Sequence, residues 1–411
     1  MSGVDRSALM HTYAEPPVTF VRGAGTELWD DEGRRYLDFL SGLAVTGLGH
    51  AHPEVAEALA EQARTLVHVS NLFGTTVGPE VAVTLDRLVG GGTKRAGGQV
   101  FFTNSGAEAN ECALKLARKW AGPGRHVVLS TWGAFHGRTL ATLHATGQRE
   151  KHVPFAPLPE GFEHVPYDDL DALDAACDPA RVAAVLVEPI QGEAGVIAPS
   201  SDYLGGLRQL CSDRGVLLMV DEIQTGLGRT GRWFAFQAAG IEPDVVTVAK
   251  ALGNGVPIGA CWARAEVAAA LSPGDHGSTF GGQPLAASAA RATLAVMERE
   301  DAPARAARAG ARLRAGLEAL DGVTGVRGAG LLLGVALAAE RAPAVAAAAL
   351  GRGLVVNAPR PDTIRMAPPL LVRDDEIDEG LALLAAALAD AGVTGDAGPA
   401  ASDPGARVGA P

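Results

Sequence analysis

The chain has 411 residues, 47% of them hydrophobic and only 5% aromatic, with a formal net charge of −12. That size and apolar fraction suit a large α/β protein of two or three structural units with an ample core. The acidic balance argues against nucleic acid as a partner, and no apolar run is long enough to span a membrane.

The first residues, Met-Ser-Gly-Val-Asp-Arg, precede no apolar h-region, so no secretory signal is expected. The four cysteines (Cys112, Cys177, Cys211 and Cys261) lack metal-ligand spacing and are expected to be reduced, in a cytoplasmic protein.

Residues 26–38 predict a hairpin around a glycine turn, and 53–65 a helix that opens on a proline. From about residue 100 to 265 apolar strands alternate with helices. The expected strands are 100–103, 126–130, 182–188, 216–221, 245–249 and 258–263, and the helices between them include 107–120 and 201–214. Such alternation predicts a mostly parallel sheet covered by helices, with ligands bound beyond the carboxyl ends of its strands.

Several motifs fall at those ends. Asn104-Ser105-Gly106-Ala107-Glu108 joins a strand to a helix. It reads both as a capping box of Ser105 with Glu108 and as an anion cradle of free N–H groups, and the two readings are compatible. Phe135-His136-Gly137-Arg138 offers a ring for stacking, a histidine for a catalytic base and a guanidinium for a carboxylate. A core Phe135, a surface Arg138 and a structural hydrogen bond from His136 explain the same residues. Glu188-Pro189-Ile190-Gln191-Gly192-Glu193 carries two carboxylates, read either as an acid/base pair or as groups that hold their neighbours in place.

Asp221 ends one buried strand in Val-Asp-Glu-Ile-Gln, and Lys250 closes another in Val-Ala-Lys-Ala-Leu-Gly. A buried ammonium loses solvation, so its pKa falls and its neutral amine becomes a nucleophile able to join an aldehyde. A lysine for the aldehyde and an aspartate for a ring nitrogen are the two protein groups that pyridoxal phosphate (PLP) requires. No metal-type cluster, Gly-x4-Gly-Lys-Ser/Thr or Gly-x-Gly-x-x-Gly motif competes at these strands. The Gly-rich loop Gly277-Ser278-Thr279-Phe280-Gly281-Gly282 precedes a long helix over 284–300 and reads as a phosphate contact or a flexible connection.

Beyond residue 303 the pattern changes to helices at 304–320, 342–352 and 375–391, with strands at 328–336 and 364–366. Residues 1–52 and 299–391 are expected to form a smaller α+β domain and 53–298 the large domain. The tail from 392 is expected to be disordered.

Taken together these segments resemble the class III, fold-type-I PLP-dependent aminotransferases. The segments are Ser-Gly-Ala-Glu-Ala-Asn-Glu (105–111), Phe-His-Gly-Arg-Thr (135–139), Glu-Pro-Ile-Gln-Gly-Glu (188–193), Asp-Glu-Ile-Gln-Thr-Gly (221–226), Ala-Lys-Ala-Leu-Gly (249–253), His-Gly-Ser-Thr-Phe-Gly-Gly (276–282) and Ile-Arg-Met-Ala-Pro-Pro-Leu (364–370). They span the chain from about residue 20 to 372. Within the family the chain is most similar to the subgroup acting on N2-acetylornithine, on Gly-Leu-Ala-Val (42–45), His-Val-Ser-Asn-Leu-Phe (68–73) and Thr-Gly-Gln (146–148).

The resemblance implies fold type I, a mostly parallel sheet with helices on both faces. It also implies roles. Lys250 would hold PLP as a Schiff base and shuttle the proton, and Asp221 would pair with the ring nitrogen. Phe135 and Ile223 would flank the ring, with Gln224 near its hydroxyl. Ser105, Gly106 and Ala107 would bind phosphate, and Thr279 would reach it from the partner in a homodimer. Arg365 would bind the α-carboxylate of glutamate or 2-oxoglutarate, and Arg138 the distant carboxylate. Glu193 would pair with Arg365 when the substrate offers one carboxylate, and Glu188 would hold its neighbours.

Gln283, where the family commonly has Asn, is a departure, as is Thr46, where the subgroup has Asn; Thr46, Phe73 and Gly74 bear on the donor. Ornithine, 4-aminobutyrate and succinyldiaminopimelate are alternative donors, and a glutamate-semialdehyde-type aminomutase is a further alternative. A PLP-binding regulator without turnover is a rival of another class, expected to lack Lys250 or Asp221. An unrelated sugar or nucleotide enzyme on a similar sheet is a second rival, and would need neither.

Overall fold

The computed structural model describes residues 7–393. The expected tail therefore lies, from 394 onward, outside the described residues. The chain opens with an antiparallel meander of β1 (Phe20–Ala24), β2 (Glu27–Asp30) and β3 (Arg35–Asp38), which contains the expected hairpin. Next come β4 (Gly98–Thr103), β5 (Val127–Thr131), β6 (Phe162–Val165), β7 (Val182–Val187), β8 (Leu217–Asp221), β9 (Val245–Val248) and β10 (Gly259–Arg264). They form one sheet in the order β4-β10-β9-β8-β7-β5-β6.

Every strand of that sheet except β10 runs in one direction, and β10 pairs antiparallel with both β4 and β9. Successive residues along each inner strand feed opposite faces. Leu218 and Val220 pack in one apolar cluster with Leu207 and Cys211, while Leu217 and Met219 pack in another with Cys112 and Leu116. Both faces are thus covered, which is why these strands read as unbroken apolar runs rather than alternating ones. The helix Gly106–Ala121 lies on the second face and Tyr203–Arg214 on the first.

The C-terminal part adds β11 (Val323–Ala329), β12 (Leu332–Leu337), β13 (Leu354–Val355), β14 (Asn357–Arg360) and β15 (Thr363–Met366). The single strand expected over 328–336 is instead a hairpin of β11 and β12. Gly330 turns the chain at φ 52°, and a Cβ there would sit 2.5 Å from the carbonyl oxygen of Arg229. These strands make a sheet in the order β11-β12-β15-β14. β13 leaves it and pairs in parallel with β3, Leu354 opposite Leu37.

Between β3 and the helix Pro53–Thr65 the backbone makes one left-handed turn. Ser41, Gly42, Leu43 and Ala44 have φ of 51°, 60°, 70° and 64°. Each non-glycine residue in that conformation costs about 1–2 kcal/mol. Asp38 holds the entry, its Oδ1 accepting from the N–H groups of Leu40 at 2.9 Å and Ser41 at 2.8 Å, with His50 Nε2 2.7 Å from Oδ2. The turn delivers Val45 to the wall of the main cavity.

Candidate active site

The carboxyl ends of β4, β5, β7, β8 and β9 open on a cavity of about 390 Å³. Its walls include Ser105, Gly106, Ala107, Phe135, Arg138, Glu188, Glu193, Asp221, Ile223, Gln224 and Lys250. Ser105 and Lys250, 145 positions apart in sequence, are thereby brought together, because parallel strands deliver their ends to one edge.

Lys250 follows β9 and opens a 3₁₀ turn, with φ of 43°. A β-region backbone would continue the strand; the left-handed residue turns the chain at the cavity instead. Burial, and next the nearby Arg365 cation, pull its pKa from the usual lysine range down to about 8.

Asp221 is buried, and both its oxygens accept hydrogen bonds. Its Oδ2 accepts from Asn110 Nδ2 and faces His136 Nδ1, each at 2.8 Å, and its Oδ1 accepts from the Ile223 N–H at 3.0 Å. The His136 contact is the structural hydrogen bond that its sequence position allowed. Asn110 has no counterpart among the sequence expectations.

Ser105 caps the helix Gly106–Ala121, its Oγ accepting from the Glu108 N–H at 3.2 Å. The reciprocal half of the expected capping box falls one residue early: Glu108 Oε2 accepts from the N–H of Asn104 at 2.5 Å. Gly106 and Ala107, in the first helical turn, line the cavity, where the helix dipole favours an anion. Gly106 is needed by closeness rather than by φ, since a Cβ would lie 2.8 Å from Ile223 Cδ1.

Glu188 is buried, and loss of solvation pushes its pKa up to about 7. Its Oε2 accepts from the Phe135 N–H at 2.9 Å, which ties the Phe135 loop to the end of β7. Arg138 is exposed at the mouth, its guanidinium carbon 5.5 Å from the centre of the Phe135 ring.

Arg365 on β15 is only 1% exposed. Its Nη1 donates to Glu193 Oε1 at 2.7 Å and to Gln224 Oε1 at 3.3 Å, and its Nε donates to Asn357 Oδ1 at 3.1 Å. Burial opposes the Glu193 charge, but the Arg365 cation outweighs it and holds this carboxyl below its usual range. Thr279 stands apart from the group. It lines a separate cavity with Asn104, Glu108, Glu111 and His276.

A lysine with a lowered pKa, an aspartate held by three hydrogen bonds, an anion cradle and the Arg138 guanidinium thus share one edge of a mostly parallel sheet, and Arg365 of the C-terminal sheet reaches that edge through Glu193 and Gln224. The chain belongs to the class-III aminotransferases, whose family profile matches residues 9–388. It is 49% identical to an acetylornithine aminotransferase of Corynebacterium efficiens, over 93% of this chain and 95% of the relative. A crystal structure of Toxoplasma gondii ornithine aminotransferase, with PLP at partial occupancy in its active site, superposes with a TM-score of 0.88 at 37% identity, covering 94% and 93% of the chains. The acetylornithine aminotransferase of Elizabethkingia anophelis gives a TM-score of 0.82 at 33% identity, covering 93% and 97%.

Proposed function

We propose that this chain is a PLP-dependent aminotransferase that moves the δ-amine of N2-acetyl-L-ornithine to 2-oxoglutarate, giving N-acetyl-L-glutamate 5-semialdehyde and L-glutamate. The carrying observation is the pairing of Lys250 and Asp221 across one cavity, in a chain 49% identical to an acetylornithine aminotransferase.

The residues fit the cofactor. The Gly106 position is clear of a Cβ beside Ile223, the helix N–H groups there suit a phosphate, and Asp221 is oriented by three donors. When bound, PLP supplies an electron-poor ring that stabilises charge on the carbon bearing the amine. Lys250 provides the nucleophilic amine for the aldehyde, and its Nζ then takes up and returns the proton at that carbon. This carbon is Cδ of the donor in one half-reaction and Cα of glutamate in the other. Asp221 would supply a fixed negative charge to the ring nitrogen. Phe135 and Ile223 would give the ring its apolar walls, Gln224 would meet its hydroxyl, and Glu188 holds the Phe135 loop.

Arg365 takes the α-carboxylate of glutamate or 2-oxoglutarate, and Arg138 at the mouth takes the other carboxylate. Glu193 covers Arg365 while a donor with no carboxylate for it is bound. Thr279 belongs to the phosphate site of a second copy. Leu72, Phe73 and Phe280 support such a homodimer, being 88%, 71% and 64% exposed. The thiols are unpaired, which accords with a cytoplasmic protein. Among the described residues no helix is long and apolar enough to cross a membrane.

The test is the visible spectrum of the PLP-loaded protein with one donor at a time. Loss of the band with N2-acetylornithine, and its return with 2-oxoglutarate, are expected. A response confined to ornithine, 4-aminobutyrate or succinyldiaminopimelate would move the donor within the family. No band after soaking with PLP would remove the reading altogether.

A further inference from the structure

Asn110 lies on the helix that also carries the Ser105–Ala107 anion cradle, one turn further in and fully buried. Both ends of its amide are used. Nδ2 donates to Asp221 Oδ2 and to the His136 carbonyl, both at 2.8 Å, and Oδ1 accepts from Thr247 Oγ1 at 2.8 Å. The orientation has one solution. A carbonyl and a carboxylate are acceptors only, so the NH₂ end must face them and the oxygen must face the hydroxyl of Thr247.

Thr247 is itself fully buried, on β9, three residues before Lys250. Its carbonyl accepts from the Glu222 N–H at 2.9 Å, and Asp221 is its register partner on β8. The side-chain chain Thr247–Asn110–Asp221 therefore ties three elements: the strand leading to the lysine, the helix that begins at the anion cradle, and the strand ending in the acid.

We infer that Asn110, set by Thr247, is a positioning residue that fixes the Asp221 carboxylate relative to the anion cradle and Lys250. This rests on the proposed PLP chemistry. A buried polar trio with every bond satisfied fixes one arrangement, and a small misplacement of a reacting group is costly. The helix contributes more than an anion site: it sets the distance between the two ends of the cofactor.

The experiment uses Asn110→Ala, Thr247→Val and Thr247→Ser in the full chain loaded with PLP. Thr247→Val keeps the shape and removes the hydroxyl, leaving the Asn110 oxygen unpaired. Asn110→Ala and Thr247→Val should lower kcat by roughly 10- to 100-fold, with the KM for 2-oxoglutarate within about twofold because Arg138 and Arg365 are untouched. Both should raise the PLP dissociation constant, read by titrating the apoprotein, by about tenfold. Thr247→Ser should restore both. Unchanged kcat and PLP affinity in Thr247→Val would overturn the inference, as would a loss that Thr247→Ser does not restore. In either case the wild-type spectrum would still stand for the proposed function. A wild type that binds no PLP would overturn both.

Discussion

Glu193, on the loop after β7, lies 2.7 Å from the buried Nη1 of Arg365 on β15. The pair joins a loop of the central sheet to the C-terminal sheet and puts a carboxylate on the guanidinium proposed to bind the substrate carboxylate. Removing it should act in opposite directions in the two half-reactions. Glu193→Gln is expected to strengthen 2-oxoglutarate binding and weaken the N2-acetylornithine half-reaction, each by roughly tenfold, about the worth of one exchanged charged hydrogen bond. Single-turnover kinetics of each half-reaction, followed in the visible band, read the split. Equal effects on both would remove the gating role.

Lys250 sets a pH dependence. Its neutral amine is the proposed nucleophile, and its pKa is pulled down to about 8 by burial and next by Arg365. Joining of PLP to the apoprotein should therefore speed up as pH rises through about 8 and level off above it. Lys250→Ala should lower kcat by about 10³-fold or more. Borohydride should fix cofactor mass on the wild type and none on that variant; mass fixed at another lysine would contradict the assignment.

Gly106 couples cofactor binding to the packing of Ile223. The Cβ of an alanine would press on Ile223 Cδ1 at 2.8 Å whether or not the cofactor is present. Gly106→Ala should lower the unfolding midpoint of the apoprotein by a few degrees and weaken PLP binding by about tenfold. Titration of the apoprotein beside a melting curve checks it, and unaltered affinity would show that Ile223 yields freely.

Glu222, next to Asp221, is buried with its oxygens held by Thr225 Oγ1 and the Phe236 N–H. Burial raises its pKa to about 7 from the usual 4.5 of a glutamate. The folded state thus binds the proton more tightly than the unfolded chain. The stabilisation is complete below about 4.5 and is lost as pH rises through about 7. Glu222→Gln should flatten that slope by at most roughly 3 kcal/mol. Urea unfolding at pH 5.5 and 8.5, in wild type and variant, measures it; parallel slopes would contradict it.

Strand ends were legible because parallel strands buried on both faces read as apolar runs, and a charged residue closing such a run is conspicuous. Asp221 and Lys250 stand out for that reason. Asn110 does not, because inside Ser-Gly-Ala-Glu-Ala-Asn-Glu it looks like any polar residue of a surface helix. Only the fold shows that it faces inward. Arg365 lies among short C-terminal strands, and its place came from the family resemblance. The β11–β12 hairpin was read as one strand because its turn, Gly330-Leu331, keeps an apolar residue where polar turn residues are the usual signal. The Ser41–Ala44 turn carries no run of glycine to announce its handedness. Thr279 is placed apart from the main cavity, which one copy of the chain leaves without it.

The pairing of β3 with β13 has a consequence for how the protein is made. Leu37 meets Leu354 across a gap of more than three hundred residues. As the chain leaves the ribosome, its opening meander has no edge partner until most of the polypeptide has been synthesised. The central sheet can assemble meanwhile, but the left-handed turn that delivers Val45 follows directly on β3 and is anchored late. The β3 edge that precedes the cavity wall at Val45 therefore has no partner strand until residue 354 has been made, and nascent chains that stall before it are expected to retain an open strand edge available to other chains.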